Sequence, residues 1–222
     1  MEVLHDISCN FVASVTKNDT EPLYLRKKNR NMIILYIHGL SSSGQSGTVD
    51  LLRRYFPQAC IIAPDLPLDP TAALQLLKDI CETNHPDLII GTSMGGMFAQ
   101  QLFGYRKILV NPAFRLHEIL KQNKGENKFF NCRQDGVQTF IIDDALIEEY
   151  EKLAARRFEN IPDGENEITF GMFGRDDDLV NDSDLFLQHY SNITWFDGGH
   201  RLNDKILKHF VVPEINKVLS SC

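Results

Sequence analysis

The chain has 222 residues, of which 43% are hydrophobic and 24% charged, so it is long enough for one globular domain with a sizeable core. Its formal net charge of −7 argues against nucleic acid or an anionic membrane as a general partner. Five scattered cysteines without a C-x-x-C pair argue against a zinc site or a disulfide framework and favour a reducing compartment. No segment has the roughly 18 apolar residues of a membrane helix and residues 1–10 lack a signal-peptide pattern, so a cytoplasmic protein is expected.

The predicted elements alternate between strands and helices. Residues 1–30 are interpreted as an N-terminal extension, in which the alternation at 10–15 is compatible with a strand. Strands are predicted at 32–37, 60–63, 88–90, 107–110, 168–173 and 192–196, and helices at 48–56, 70–83, from 94 onward, at 116–121, 144–157 and 202–219. This order predicts an α/β fold with a mostly parallel central sheet and helices on both faces. Functional groups of such sheets collect at the carboxyl ends of the strands.

Residues of about 113–165 interrupt the alternation and are predicted to form a small helical cap over the strand ends. The expected organisation is one domain over residues 1–222, with this insertion and the N-terminal extension. Four phenylalanines of the insertion either line a pocket for an apolar acyl group or anchor the insertion to the core. These four residues are Phe114, Phe129, Phe130 and Phe140.

The sequence Gly91-Thr92-Ser93-Met94-Gly95 follows a short apolar strand and precedes a helix-like run. This is G-x-S-x-G in strand–turn–helix context, the pattern of a nucleophile elbow. A serine on such a sharp turn needs very small neighbours two residues away on either side, and Gly91 and Gly95 meet this need. The N-terminus of the following helix favours negative charge beside the serine. Ser93 is therefore the predicted nucleophile, and the alternative is a glycine-rich turn that closes a βα unit.

The loop His38-Gly39-Leu40 comes directly after the first buried strand. Serine hydrolases of this layout place one oxyanion-binding N–H here and the other on the residue after the nucleophile. Leu40 and Met94 are the predicted donors. Gly39 lets the backbone approach the substrate, and His38 is expected to shape the loop, since it precedes the serine and is not the preferred base. The alternative is a Ser/Gly-rich loop without a catalytic role.

Three aspartates in a row, Asp176, Asp177 and Asp178, follow the strand at 168–173. A hydrolase of this layout needs a carboxylate here to orient the histidine and stabilise its charged form. The spacing G-x-x-D-x-x-V selects Asp177, and the two neighbouring aspartates remain alternatives. A plain acidic loop and a cation site are the competing interpretations.

His200 is the predicted general base, because it alone lies in a glycine-bearing loop at the end of a predicted strand. The other histidines after the serine lie in the insertion or in helical patterns. They are His117, His189 and His209. The order Ser93, Asp177, His200 matches the nucleophile, acid, histidine order of this fold.

Four further residues are predicted to contact the substrate, because they follow strands or lie in the insertion. They are His38, Gly39, Asn111 and Phe114.

Five stretches carry a resemblance to a known family. They are YIHGLSSSGQS at 36–46, APDLP at 63–67, GTSMGG at 91–96, VNPAFR at 110–115 and DGGH at 197–200. With these motifs the chain resembles the α/β-hydrolase superfamily and, more narrowly, the YqiA-like esterases. The resemblance covers roughly residues 32–219 and implies a small cytoplasmic hydrolase of acyl esters or thioesters that needs no cofactor or metal. Carried over to the matching positions, it implies a triad of Ser93, Asp177 and His200.

The expected activity is carboxylic ester hydrolysis through an acyl-enzyme, with a small acyl ester or thioester as the substrate and partner. One alternative is a thioesterase for coenzyme A or carrier-linked acyl groups. The basic clusters at 26–28 and 53–54 could meet the phosphate of such a substrate, although such runs are usually solvated surface. The other alternative is a non-catalytic binding protein on the same fold.

Overall fold

The computed structural model describes residues 31–220, so the extension at 1–30 and the alternating stretch at 10–15 lie outside the described residues. Six strands form one parallel sheet. They are β1 Ile33–Ile37, β2 Cys60–Ile62, β3 Leu88–Thr92, β4 Lys107–Val110, β7 Thr169–Gly174 and β8 Asn192–Phe196. Their order across the sheet is β2-β1-β3-β4-β7-β8. The predicted α/β fold with a parallel central sheet is thereby confirmed.

The helices of the described range lie between these strands and after the last one. They are α1 Gly47–Tyr55, α2 Pro70–Asn84, α3 Met94–Gln100, α4 Leu116–Gln122, α5 Asp144–Arg156, α6 Glu165–Ile168, α7 Ser183–Leu187, α8 Asp204–Ile206 and α9 Val212–Ser220. A π-helical stretch, Leu207–Val211, joins α8 to α9 where the sequence predicts one continuous helix. The helix α2 begins as predicted, since Asp69 caps it by accepting the Ala72 N–H at 2.7 Å.

Both faces of the sheet are buried, because successive side chains of a strand point to opposite sides. In β1, Ile34 and Tyr36 contribute to one core and Leu35 and Ile37 to the other. The first core includes buried residues of α1 and the C-terminal helices, and the second includes those of α2, α3, α4, α5 and α7. Helices therefore cover both faces of the sheet.

We call residues 115–168, between β4 and β7, the cap. Besides three helices, the cap contains an antiparallel hairpin of β5 Gly125–Lys128 and β6 Thr139–Ile142, which the sequence did not predict. Tyr150 of α5 is buried, and its hydroxyl donates to the Leu68 carbonyl at 3.2 Å and contacts the Met94 sulfur at 3.4 Å. The cap is therefore seated next to the residue that follows Ser93.

The parallel register places the carboxyl ends of the central strands side by side. Thr92 pairs with Val110, and Gly174 pairs with Phe196. The loops after β1, β3, β4, β7 and β8 consequently leave the sheet at one edge, beneath the cap. Across residues 31–220, no helix has both the length and the apolar character needed to cross a membrane.

Candidate active site

Ser93 lies on the turn between β3 and α3 with φ 55° and ψ −118°, a backbone conformation that costs energy for any residue but glycine. The turn is possible because its neighbours have no side chains. A Cβ on Gly91 would lie 2.3 Å from the Gly95 carbonyl oxygen, and a Cβ on Gly95 would lie 2.0 Å from the Ile37 carbonyl oxygen. The two glycines of the sequence motif are thus required by backbone contacts on both sides of the serine.

The side chains of Ser93, His200 and Asp177 form a continuous hydrogen-bonded series. The Ser93 Oγ lies 3.0 Å from Nε2 of His200, and Nδ1 of the same ring lies 2.8 Å from Oδ2 of Asp177. A carboxylate can only accept, so Nδ1 carries the proton and Nε2 is free to accept the serine proton. These three residues, far apart in the sequence, meet at the common edge of the sheet.

Asp177 is held in this orientation by its own loop. Its Oδ1 accepts the N–H groups of Leu179 at 3.0 Å and Val180 at 2.9 Å, which leaves Oδ2 for the histidine. The carboxylate is 3% exposed, whereas Asp176 and Asp178 are more exposed and neither is bonded to His200. The G-x-x-D-x-x-V spacing therefore has a physical basis, because its valine supplies one of the N–H groups that fix the aspartate.

His38, predicted to contact substrate, is buried at the end of β1 and is not among the residues that line the cavity. Its Nδ1–H donates to the Gly39 carbonyl at 2.8 Å, and its Nε2 accepts the Leu66 N–H at 3.3 Å. Burial lowers the pKa of His38, in keeping with a neutral ring that accepts at one nitrogen. The ring fixes the carbonyl that precedes Leu40, and so it shapes the loop.

The same loop passes close to the serine. A Cβ on Gly39 would lie 3.2 Å from the Ser93 Cβ, which is tighter than most Cβ contacts in proteins. The glycine therefore lets this backbone pass close to the turn. Within the described chain, the N–H groups of Leu40 and Met94 make no hydrogen bond. Two unengaged backbone donors therefore flank Ser93.

The loop after His38 is also fastened to the hairpin of the cap. The Phe130 N–H donates to the Ser41 carbonyl at 2.7 Å, and the buried Ser43 hydroxyl donates to the Cys132 carbonyl at 2.7 Å. The Asp65 carboxylate accepts one backbone N–H from each of the two segments, at 2.8 and 2.7 Å. With the bond from the Ser42 hydroxyl to Asn131 Oδ1 at 3.1 Å, three direct hydrogen bonds and the bridge through Asp65 join the cap to the loop that approaches Ser93.

A cavity of about 880 Å³ opens between the sheet edge and the cap, and Ser93 and His200 form part of its wall. Its apolar lining comes from the cap, from α1 and from the loops at the sheet edge. The apolar residues are Leu40, Leu51, Leu116, Ile119, Phe130, Ile142, Leu179, Val180 and Leu202. Polar residues line the cavity at the start of α1, where they include Ser46 and Thr48, and in the cap, where they are Gln122, Asn123, Asn127 and Asn131. The cavity can therefore hold a ligand with both apolar and polar groups.

Asn111 and Phe114, also predicted to contact substrate, lie away from the cavity wall. Asn111 is 1% exposed and Phe114 is fully buried, and neither lines the cavity. The Phe114 ring packs edge-on against Phe158, with ring centroids 5.0 Å apart. The amide of Asn111 is instead bonded to the loops that carry the aspartate and the histidine. Gly39, the fourth predicted contact, lies on the cavity wall.

The remaining phenylalanines of the cap divide between the two predicted roles. The rings of Phe129 and Phe140 pack together at 4.7 Å, and both belong to the core, so they anchor the cap. Phe130 is 67% exposed and lines the cavity, where it stacks under the Arg201 guanidinium at 5.0 Å. Phe130 is thus the one of the four candidates that lies on the cavity wall.

Basic groups that could meet a phosphate are already paired on the surface. Arg53 bonds to Asp50 at 3.5 Å and Arg54 to Asp204 at 2.5 Å, while the cluster at 26–28 lies outside the described residues. Among residues 31–220, no three His, Cys, Asp or Glu side chains are grouped closely enough to hold a metal ion.

The sequence pattern also placed His189 in a helix, but it lies in the turn after α7.

The chain belongs to the uncharacterised protein family UPF0227, whose sequence model matches residues 33–212. Its fold is similar to that of Est1E from Butyrivibrio proteoclasticus, at 13% identity over 86% of this chain and 90% of that chain, with a TM-score of 0.60. Mouse alpha/beta hydrolase domain-containing protein 10 is similar at 13% identity, over 85% and 89%, with a TM-score of 0.59. A marine microorganism esterase is similar at 15% identity, over 85% and 95%, with a TM-score of 0.56. These similarities confirm the predicted α/β-hydrolase fold.

Proposed function

We propose that this UPF0227 protein is a serine hydrolase that cleaves carboxylic ester bonds of small acyl compounds through an acyl-enzyme. The observation that carries the proposal is the series Ser93–His200–Asp177, with heavy-atom separations of 3.0 and 2.8 Å, on the wall of an 880 Å³ cavity. Nucleophile, base and orienting carboxylate are the three groups that acyl transfer to water requires.

In the proposed reaction, Nε2 of His200 takes the Ser93 proton as Oγ attacks the carbonyl carbon of the ester. Asp177 keeps the ring in the tautomer that can accept this proton and stabilises the imidazolium that forms. The imidazolium then protonates the departing alcohol, and the acyl group remains on the serine. A water molecule, deprotonated by the same histidine, releases the acid and regenerates the serine.

The unengaged N–H groups of Leu40 and Met94 are the proposed donors to the tetrahedral oxyanion. Removing one such donor typically costs about 10²–10³ in kcat. Met94 opens α3, whose N-terminus adds a favourable dipole to the developing charge.

The apolar lining residues of the cavity form the proposed acyl site. Est1E, which has a similar fold, is also known with ferulic acid bound, and an acid is the second product of ester hydrolysis. Each methylene buried against this apolar lining is worth about 0.8 kcal/mol, which corresponds to about fourfold in kcat/KM. We therefore expect kcat/KM to rise with acyl length until the apolar lining is covered.

The test is hydrolysis of p-nitrophenyl esters from acetate to dodecanoate by the wild type, Ser93→Ala and Ser191→Ala. Ser191 is an exposed serine at the opposite end of β8 and serves as the matched control. We expect activity in the wild type and control and none above background in Ser93→Ala. Equal rates in all three proteins, or no hydrolysis of any ester by a folded wild type, would sink the esterase proposal, and acyl thioesters would be assayed next.

A further inference from the structure

Residues 111–115, the NPAFR stretch after β4, touch the loops of all three residues of the proposed triad. This segment forms no part of the cavity wall, so its contacts serve the protein rather than the substrate. Its first residue, Asn111, has φ 44°, a left-handed backbone conformation that is uncommon outside glycine. A buried polar residue held in such a conformation indicates a constraint at this position.

The amide of Asn111 joins the aspartate loop to the histidine loop. Its Oδ1 accepts the N–H of Gly174, the last residue of β7, at 2.7 Å. Its Nδ2 donates to the carbonyls of Gly199 at 3.2 Å and His200 at 3.3 Å. One side chain thereby sets the distance between the start of the aspartate loop and the backbone of the histidine itself.

Arg115, at the other end of the segment, holds the far end of the aspartate loop. Its backbone N–H and one guanidinium nitrogen donate to the two oxygens of the buried Asp182, at 2.9 and 2.8 Å. A second guanidinium nitrogen donates to Asp184 at 2.6 Å. The loop with Asp177 is consequently bonded to the segment both before and after its carboxylate.

The middle of the segment contacts the nucleophile turn. The Ala113 N–H donates to the Ser93 carbonyl at 3.0 Å. Pro112 packs against α3, where a Cβ on Gly96 would lie 2.9 Å from the proline Cβ. The strained turn at Ser93 is therefore held by the same segment, 111–115, that bonds to the loops of Asp177 and His200.

We infer that Asn111 is a positioning residue for the reaction, which holds the loops of Asp177 and His200 in register with Ser93 without touching substrate. The inference rests on the proposed function, since the register matters for chemistry only if the three side chains act together. A misplacement of about 1 Å in such an arrangement can cost about 10²-fold in rate. The cost falls on the chemical step, because the cavity wall is unchanged.

The test is Asn111→Asp, which keeps the size of the side chain and its acceptor for the Gly174 N–H. It replaces the amide donor with an oxygen that faces two carbonyl oxygens. We expect kcat on p-nitrophenyl butyrate to fall about 10- to 100-fold with KM within about twofold of wild type. The second-order rate of Ser93 labelling by a fluorophosphonate probe should fall by a similar factor.

Two control variants separate positioning from charge and from stability. Asn216→Asp adds the same charge on the exposed face of α9, and Ile215→Val removes a methyl group from the core away from the site. Both should hydrolyse and label like the wild type. If Asn111→Asp does not fold, Asn111→Gly decides, because glycine keeps the left-handed backbone conformation and removes only the amide that joins the two loops, so the same fall in kcat and labelling is expected.

The inference is overturned if kcat and labelling are unchanged in the folded variant, if only KM rises, or if the loss of activity equals the loss of folded protein. A wild type that labels but hydrolyses no ester refutes the esterase proposal alone, and the labelling rates still test Asn111. A wild type that does neither refutes both.

Discussion

Replacing Asp177 with asparagine tests the proposed triad, because the surroundings of the carboxylate dictate how the amide must sit. Oδ1 accepts two backbone N–H groups, from Leu179 and Val180, so the oxygen of the asparagine amide is required at that position. The amide nitrogen must then face Nδ1 of His200. A donor at this point forces Nδ1 to accept, which moves the ring proton to Nε2.

The consequence for catalysis follows from the tautomer. With its proton on Nε2, the neutral ring of His200 can no longer accept the proton of Ser93, which lies 3.0 Å away. Substitution of this kind in a serine protease triad lowers kcat by about 10⁴, equivalent to about 5.4 kcal/mol of transition-state stabilisation. We expect a loss of this size for Asp177→Asn, with KM little changed, since the carboxylate does not line the cavity.

The neighbouring aspartates provide matched controls of identical chemistry. Asp176→Asn and Asp178→Asn change more exposed side chains that are not bonded to His200, so both should keep kcat within about twofold of wild type. Asp178 lines the cavity, so its variant tests kcat alone, and Asp176→Asn is the control for KM as well. The assay is steady-state hydrolysis of p-nitrophenyl butyrate, with circular dichroism to show that each variant is folded. If Asp177→Asn keeps more than about a tenth of the wild-type kcat, or if a control shows the large loss, the tautomer argument is wrong.

Three further predictions concern the scaffold of the site. Gly95→Ala should lower the free energy of unfolding by about 3 kcal/mol or more, because the added methyl group meets the backbone of Ile37. At Gly47, at the start of α1, a Cβ meets open space, so Gly47→Ala should raise the free energy of unfolding by up to about 1 kcal/mol. Equal urea midpoints for the two variants would contradict this prediction. Ser43→Ala loses the hydrogen bond to the cap and should lower kcat on the acetyl ester about tenfold without raising KM, and an effect on KM alone would argue against coupling of cap and loop. Burial lowers the pKa of His38, so the unfolded chain binds its proton first as pH falls below about 6.5, and the free energy of unfolding decreases from there toward the folded pKa. The check is the free energy of unfolding in urea, measured near pH 7.5 and near pH 5.5. It should decrease less between these two pH values in His38→Asn than in the wild type, and an identical decrease in both proteins would refute the assignment.

The strands and the nucleophile turn could be predicted because their determinants are local. A continuous apolar run such as Ile33–Ile37 favours burial on both faces, and glycines two residues before and after Ser93 are what a sharp strand-to-helix turn requires. The spacing selects the aspartate that bonds to His200, because the valine three residues later donates its N–H to that carboxylate. In each of these cases the physical cause lies within a few residues of the signal.

The parts that were missed depend on contacts between distant segments. The strand Gly125–Lys128 is polar and mostly exposed, and it is a strand only because it pairs with Thr139–Ile142. Lys107 has a charged side chain that would ordinarily be exposed, yet it is fully buried in β4 and paired with Glu165 of the cap. Asn111 looked like a substrate ligand because it follows a strand, but its amide turns to the neighbouring loops. Sequence position gives the edge of the sheet at which a residue lies, and only packing gives the direction of its side chain.

Backbone strain provides an argument for the site that is independent of any motif. Among the described residues, five other than glycine have positive φ, and three of them lie in the loops at the sheet edge that carries Ser93: Ser41 at 61°, Ser93 at 55° and Asn111 at 44°. Each such conformation costs about 1–3 kcal/mol and persists only where the surroundings hold it. In this protein the hairpin of the cap holds Ser41, through the bond from the Phe130 N–H. The 111–115 segment holds Ser93, through the Ala113 N–H, and Asn111 is held by the loops to which its amide is bonded. Strain that collects in three neighbouring loops at one edge of the sheet therefore supports the proposal that this edge carries the function.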